Sequence, residues 1–198
     1  MLRSFALADV ITLGNAACGT GATLACVRYV ERGERVFLWT ALALLPLALL
    51  CDVLDGGVAR WRRKHSALGA DLDSLADVVS FGVAPAVLGY SLGLRGAFDT
   101  AILIYFVACG ISRLARYNAT HDALADASGK VAYYEGTPIP TSLLVVLVLG
   151  IAFATGHVGD RMWLGVYSLA GGDFHPLSLL FALSGSAMIS ATLRIPKP

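Results

Sequence analysis

The sequence predicts an all-α protein that crosses a membrane several times and forms one domain over residues 1–198. Of the 198 residues, 57% are apolar and only 15% are charged, whereas a soluble domain carries roughly 25% charged residues. The mean hydropathy is +0.70. A helix needs roughly 20 mostly apolar residues to cross the hydrocarbon core. Six stretches meet or approach that length: 11–30, 36–57, 70–94, 98–117, 139–156 and 176–194. These features exclude an ordinary water-soluble fold.

The first predicted span is rich in small residues, among them Gly14, Gly19 and Gly21. Small residues allow helices in a membrane to approach closely, so we expect this span to pack against other helices. The opening MLRSFALADV is too short an apolar run for a signal peptide. It is predicted to form a short interfacial helix that lies on the membrane surface.

The distribution of lysine and arginine predicts both termini in the cytoplasm, following the positive-inside rule. With that orientation ten basic residues lie inside: Arg3, Arg60, Arg62, Arg63, Lys64, Arg113, Arg116, Lys130, Arg194 and Lys197. Five lie outside: Arg28, Arg32, Arg35, Arg95 and Arg161. The predicted location is therefore the cell membrane, with several spans.

Charge and cysteine content exclude other classes of protein. A formal net charge of +1 argues against nucleic acid as a partner, because binding to its phosphates is mainly electrostatic. The four cysteines lie in apolar runs and form no CxxC pair. A disulfide framework or a zinc knuckle is therefore not expected.

Carboxylates concentrate at the end of the second span and the start of the third. Asp52 and Asp55 are three residues apart, and Asp73 and Asp77 are four apart, so each pair shares one face of a helix. The short connection WRRKHSAL makes the two spans antiparallel neighbours. An intramembrane carboxylate is costly and usually marks a functional site. We therefore expect the four acids to converge.

Four converging carboxylates need positive charge nearby. Hard divalent cations with oxygen ligands match them: Mg²⁺, Mn²⁺ or Ca²⁺. Two such cations about 4 Å apart suit displacement at phosphorus. The alternative is that the acids form salt bridges with the basic residues that follow the second span, namely Arg60, Arg62, Arg63 and Lys64.

Residues 52–77 read D-V-L-D-G-G-V-A-R, eight residues, then G-A-D-L-D-S-L-A-D. This string resembles the signature of the CDP-alcohol phosphotransferase family, D-x2-D-G-x2-A-R-x8-G-x3-D-x3-D, at every fixed position. The resemblance implies an enzyme of phospholipid biosynthesis that moves a phosphatidyl-type group from a CDP-linked lipid to an alcohol and releases CMP. It also implies two divalent cations, held by Asp52, Asp55, Asp73 and Asp77, and Asp77 as the base.

The same resemblance implies a binding site for the CDP-linked lipid. Small residues permit a flat ligand to approach, and arginine offers a planar fork to phosphate oxygens. For Gly56 and Ala59 helix packing is an equal alternative. The residues implied are Thr12, Asn15, Gly56, Ala59, Arg60, Ser66 and Gly69.

Further segments resemble the phosphatidylserine synthase branch of the family: ITLGN, LDSLADVVSFGVAPA, SRLARYN and YYEGTPIPTS. That resemblance implies L-serine as acceptor and a phosphatidyl or archaetidyl donor. Arg113 and Arg116 are candidates for the serine carboxylate or, alternatively, topological anchors. Glu135 is a candidate for the ammonium group, with Asn118 and Tyr134 beside it.

Two alternatives remain open from the sequence. The same chemistry applies to another acceptor, such as glycerol 3-phosphate or inositol phosphate. Intramembrane aspartates also occur in cation transporters, although these often have matching broken helices in both halves, which this sequence lacks. The expected partners are the CDP-linked lipid, serine, membrane lipids and, from the family resemblance, a second copy in a homodimer.

Overall fold

The computed structural model describes residues 7–62, 67–124, 133–169 and 172–196, and most of these residues are helical. The predicted all-α, membrane-embedded fold is confirmed. Four helical segments are long and apolar enough to span a membrane: Ala8–Arg32, Arg35–Val58, Gly69–Leu92 and Ala97–Ala119. The fifth and sixth predicted spans correspond to shorter apolar helices, Ile139–Ala154 and Pro176–Ile189.

Large apolar side chains on these helices face outward. Leu24, Leu75, Ile104, Leu144 and Leu183 are each more than half exposed. Extended apolar surface of this kind is rare on soluble monomers. It suits helices whose outer faces contact lipid, since helices satisfy their own backbone hydrogen bonds.

The chain forms two compact units, Met1–Ser91 and Leu92–Pro198, which are described separately. The predicted single domain over the whole chain stays a prediction. The first unit contains, in order, α1 (Leu7–Arg32), α2 (Arg35–Arg62), α3 (Ala67–Asp77), a π-helical segment (Val78–Val83) and the start of α4 (Ala84–Leu92).

Helices α1 and α2 form a hairpin and pack closely along their length. The turn between them uses Gly33, whose φ of +72° is unfavourable for residues with a side chain. Small and aliphatic side chains fill the contact, with Ala22, Leu38, Ala41 and Leu45 all at most 1% exposed. This agrees with the close packing expected from the small residues of the first span.

The π-helical segment lies between α3 and α4, directly before Pro85. Proline has no backbone N–H and its ring clashes with the carbonyl four residues earlier in a regular α-helix. Here the N–H of Ala84 donates to the carbonyl of Val79, five residues back, so the wider turn carries the helix past the proline. Such π segments often occur at functional sites.

The second unit is built around α5 (Ala97–Leu124), which packs against α7 (Leu179–Ile189). In the sequence, α6 (Leu143–Ala154) comes between these two helices and is preceded by a 3₁₀ turn at Ile139–Ser142. Phe106 of α5 meets Phe181 of α7 edge to face, with ring centroids 5.1 Å apart. This geometry is favourable for aromatic pairs.

Short strands, which the sequence did not predict, complete the second unit. They form two antiparallel pairs: β1 (Tyr133–Glu135) with β4 (Arg194–Pro196), and β2 (Tyr167–Leu169) with β3 (Gly172–Phe174). The register of the first pair places Tyr134 opposite Ile195. Three-residue strands lack the length over which alternation of apolar and polar residues becomes recognisable.

The sixth predicted span, 176–194, is too long at its carboxyl end. Helix α7 ends at Ile189, and Ser190 has extended backbone with ψ 124°. The hydroxyl of Ser190 accepts a hydrogen bond from the N–H of Leu193. Serine side chains compete with helical backbone bonds in this way, so an apolar composition alone overestimates the helix.

The predicted interfacial helix falls largely on residues 1–6, which lie outside the described residues. Leu7–Val10 belong to α1 and continue into the first span without a break.

A buried acid–histidine pair fixes the start of α5 in the second unit. Asp99 accepts hydrogen bonds from Nδ1 of His175 at 2.6 Å and from the backbone N–H of the same residue at 2.9 Å. The carboxylate is fully buried and His175 is 5% exposed. Neither residue was predicted to belong to a site, because residues 76 positions apart carry no spacing signal.

Candidate active site

Three of the four predicted carboxylates gather at one point of the first unit. Asp52 and Asp55 lie on α2, and Asp73 lies on α3. Each offers one carboxylate oxygen, and the three oxygens lie within 4.8 Å of one another. The helical spacing of the acids and the short connection between the two helices produce this convergence, as the sequence predicted.

Asp77, the last residue of α3, joins the same group. Its carboxyl group lies close enough to those of Asp52 and Asp73 for their charges to interact, and it is only 7% exposed. Two carboxyl groups in contact repel each other unless a proton or a cation lies between them. The arrangement is therefore suited to holding positive charge.

The donor set fits a hard divalent cation. All the gathered ligand atoms are carboxylate oxygens, which Mg²⁺, Mn²⁺ and Ca²⁺ prefer. In addition, Oδ1 of Asp73 is buried and receives no hydrogen bond from the described residues. Buried polar atoms normally have a partner, so this oxygen is available as a ligand.

Helix α1 supports the acids through two buried side chains one helical turn apart. The hydroxyl of Thr12 donates to Oδ2 of Asp55 at 2.6 Å, and Nδ2 of Asn15 donates to Oδ1 of Asp77 at 3.2 Å. Thr12 is 4% exposed and Asn15 is fully buried. The sequence placed both residues at the CDP-lipid site, and the structure shows that they bind the carboxylates.

Gly56 has free space beside it within the described part of the structure. A Cβ built on it meets no described atom within 4 Å, and the same holds for Gly57. Among the described residues, Gly56 therefore does not serve helix packing, which was the alternative explanation for a small residue at this position. Open space beside the acids is compatible with a ligand lying against this turn of α2.

The remaining predicted CDP-lipid residues are only partly described. Gly69 lies in the first turn of α3 and is partly exposed. Ala59 and Arg60 belong to α2, but their side chains lie outside the described part of the structure, and Ser66 lies outside it altogether. The salt bridges considered as an alternative for the acids involve this same basic stretch.

The predicted acceptor residues belong to the second unit. Arg113 is 8% exposed, and its guanidinium carbon lies 5.6 Å from the ring centroid of Tyr117. Nη1 of Arg116 donates to the carbonyl of Ile189 at the end of α7, at 3.3 Å. Positive charge is favourable at this end of a helix, so this bond stabilises the end of α7.

Asn118 is exposed on α5. Tyr134 and Glu135 lie in β1, but their side chains lie outside the described residues. The assignment of these residues to an acceptor site stays a prediction.

Ser80 is the site residue that the sequence analysis missed. It lies in the π-helical segment, is fully buried, and donates from its hydroxyl to the backbone carbonyl of Asn15 at 2.9 Å. Its position three residues after Asp77 was the available signal, because polar residues at this spacing share a helix face.

The apolar outer faces of the helices and the cluster of aspartates define a membrane protein with a candidate site for divalent cations. The sequence matches the model of the CDP-alcohol phosphatidyltransferase family over residues 5–174. The chain belongs to this family, and the prediction made from the aspartate motif is confirmed.

Curated relatives of this chain are named as serine O-phosphatidyltransferases or as an archaetidylserine synthase. The CDP-diacylglycerol–serine O-phosphatidyltransferase of Saccharomyces cerevisiae is 40% identical over 203 residues, covering 100% of this chain and 73% of the yeast protein. The protein of the same name from Mycobacterium bovis is 34% identical over 131 residues, covering 66% of this chain and 45% of that protein. The archaetidylserine synthase of Methanothermobacter thermautotrophicus is 35% identical over 144 residues, covering 71% and 56%.

Proposed function

We propose that this protein transfers the phosphatidyl group, or its ether-linked archaetidyl counterpart, from a CDP-linked lipid to the hydroxyl group of L-serine and releases CMP. The observation that carries the proposal is the set of three intramembrane carboxylate oxygens within 4.8 Å of one another, in a chain of the CDP-alcohol phosphatidyltransferase family. The names of the yeast and archaeal relatives support serine as the acceptor.

Asp52, Asp55, Asp73 and Asp77 are the residues that would hold two divalent cations, Mg²⁺ or Mn²⁺, with Ca²⁺ as a further candidate. When bound, such cations neutralise diphosphate charge and favour displacement at phosphorus. The unpartnered Oδ1 of Asp73 supports this assignment.

Asp77 is assigned as the general base. The serine oxygen attacks the phosphorus on the lipid side of the diphosphate, its proton passes to the Asp77 carboxylate, and the bond from that phosphorus to the oxygen of CMP breaks. Asn15 fixes one oxygen of Asp77 by donating to it. The burial of Asp77 limits access of water, which would otherwise compete with serine. In phosphoryl transfer, positioning and charge neutralisation supply most of the catalysis.

The CDP-linked lipid is assigned to the Gly56 side of α2 and to the residues between α2 and α3. Gly56 leaves space beside the acids, and Arg60 is assigned to the diphosphate because guanidinium binds phosphate oxygens in a fork. Ala59 and Gly69 are assigned to this site by their fixed positions in the motif, and Ser66, which lies between Arg60 and Gly69, is assigned as a hydrogen-bond partner of the diphosphate.

The acceptor site is assigned to the second unit. Arg113 and Arg116 are the candidates for the serine carboxylate, Glu135 for its ammonium group, and Asn118 and Tyr134 for further hydrogen bonds. The buried guanidinium of Arg113 makes it the first of these to test.

The chain acts as a single domain in the cell membrane, with both termini and the active site facing the cytoplasm, and as a homodimer. The orientation rests on the ten basic residues assigned inside against five outside. Glycosylation mapping at residues 93–96 and 157–175, assigned outside, tests the orientation. Modification at residues 125–132 instead would reverse it.

The function is tested with the purified full chain in vesicles that contain CDP-diacylglycerol or its ether-linked analogue. Serine, glycerol 3-phosphate and inositol phosphate are offered separately with Mn²⁺ or Mg²⁺, and CMP and lipid product are measured together. We expect CMP and product in equal amounts with serine alone. Faster turnover with either phosphorylated alcohol would assign a different acceptor.

A further inference from the structure

Ser80 occupies an unusual place beside the acid cluster. It lies in the π-helical segment that follows Asp77, and its side chain is fully buried. None of the roles assigned above to the four acids, the CDP-lipid residues or the acceptor residues involves this hydroxyl. A buried hydroxyl needs a hydrogen-bond partner, and its partner is the backbone of α1.

The contact between Ser80 and α1 is very close. The Ser80 hydroxyl donates to the carbonyl of Asn15 at 2.9 Å. A Cβ added to Gly19, one turn further along α1, would lie 2.6 Å from the Cα of Ser80. Only glycine at this position allows the two backbones to approach so closely. The hydrogen bond between Ser80 and Asn15 therefore depends on Gly19.

Asn15 is consequently held at two points by one short stretch of chain. Its carbonyl accepts from Ser80, and its side-chain amide donates to Asp77 at 3.2 Å. Asp77 and Ser80 are three residues apart, so the two hydrogen bonds close a ring between α1 and the end of α3. Asn15 is fully buried, so water does not replace a missing bond.

We propose that Ser80 is a positioning residue for the transfer reaction. Its hydrogen bond to the Asn15 backbone fixes the position of the Asn15 side-chain amide, and this amide in turn orients the Asp77 carboxylate. The inference rests on the proposed role of Asp77 as the base. It gives a role in the reaction to a residue of the π-helical segment, which lies outside both the aspartate motif and the acid cluster.

Ser80→Ala is the direct test, because it removes the hydroxyl without adding bulk near Gly19. We expect kcat for serine transfer to fall about tenfold, the size of effect that one lost buried hydrogen bond produces. The KM for the CDP-linked lipid should change less than about twofold, since Ser80 touches the base only through Asn15. The rate is normalised to sites that bind labelled CDP-lipid, so misfolded protein does not contribute.

Ser91→Ala is the matched control. Ser91 is also buried and lies on the same continuous helix, where its hydroxyl donates to the carbonyl of Val87 at 2.7 Å. The hydrogen bonds of Asn15 involve Asp77 and Ser80 instead. A merely structural loss of a buried hydroxyl would appear equally in both variants, in the thermal midpoint and in kcat. Equal kcat values for the two variants would overturn the proposal.

A double-mutant cycle tests the route through Asn15. If Ser80 acts through this residue, adding Ser80→Ala to Asn15→Ala should not lower kcat further than Asn15→Ala alone. Independent, multiplying losses would overturn the proposal even if both single variants are slow. Ser80→Cys, which retains a weak S–H donor, should fall between wild type and Ser80→Ala.

The outcomes separate this inference from the proposed function. If wild type prefers another alcohol to serine, the acceptor assignment fails, and the cycle is run with that alcohol. If wild type transfers to serine and Ser80→Ala matches Ser91→Ala, the function stands and the positioning role fails. If Asp77→Asn retains turnover, the base assignment and the positioning role fail together.

Discussion

Thr12 and Asp55 are joined by a 2.6 Å hydrogen bond from the threonine hydroxyl to Oδ2 of the carboxylate, although they are 43 residues apart. Both side chains are at most 5% exposed. The bond fixes the orientation of one carboxylate of the cluster from a neighbouring helix. Mutation of a residue that orients a metal ligand in this way commonly lowers metal affinity tenfold to a hundredfold.

We therefore expect Thr12→Val to raise the Mn²⁺ concentration that gives half-maximal CMP release about tenfold or more. Valine has nearly the same shape but donates no hydrogen bond. Thr12→Ser retains the hydroxyl and should stay within about threefold of wild type. Electron paramagnetic resonance of free Mn²⁺ measures the affinity directly, and an unchanged affinity in Thr12→Val would contradict the role given to this bond.

Asp77→Asn is expected to bind the CDP-linked lipid normally and to lose at least about a hundredfold in kcat, because general-base catalysis contributes roughly that much or more. Asparagine has a similar size but cannot accept the serine proton. Asp71→Asn is the control, since Asp71 is exposed on the same helix. Turnover near the wild-type rate in Asp77→Asn would remove the base assignment.

The acid cluster could be predicted because it depends only on helical period and on a short connection. Spacings of three and four residues place Asp52 with Asp55 and Asp73 with Asp77 on shared faces, and a connection of a few residues forces α2 and α3 to meet. The apolar spans could likewise be predicted from composition and length alone. Neither the acid cluster nor the spans depends on how individual side chains pack.

The supporting contacts could not be predicted, because they depend on how helices rotate and approach. The Ser80–Asn15 bond requires Gly19 to bring two backbones together and a π-helical turn before Pro85. Neither the rotation of α1 nor the wider turn is encoded in apolar periodicity. The end of α7 was missed for a related reason, since the hydroxyl of Ser190 competes with the helix.

Removing divalent cations should both stop the reaction and destabilise the protein. Without a cation, the carboxylates of Asp52, Asp55 and Asp73 repel each other at short range. A ligand at a hundredfold excess over its Kd stabilises the folded state by about 2.7 kcal/mol, so chelation with EDTA should lower the thermal midpoint, and Mn²⁺ should restore it.

Asp73→Asn is the matched variant for that measurement. It removes one negative charge from the cluster while keeping the side-chain size, so the midpoint should respond much less to chelation than in wild type. The same chelation experiment on Asp160→Asn, which alters an exposed acid of the second unit, should give the wild-type response. Equal responses in Asp73→Asn and wild type would contradict a cation site at Asp73.

The Asp99–His175 pair leads to a prediction about stability rather than catalysis. Asp99→Ala leaves the imidazole buried with its 2.6 Å partner removed and also deprives the backbone N–H groups of Gly96 and His175 of their acceptor. Losing one member of a buried pair costs about 3–5 kcal/mol. The thermal midpoint should fall well below that of Asp160→Ala, whose exposed position predicts a change within about 0.5 kcal/mol. Tryptophan fluorescence during heating measures both variants, and matching midpoints would show that this pair does not hold the start of α5.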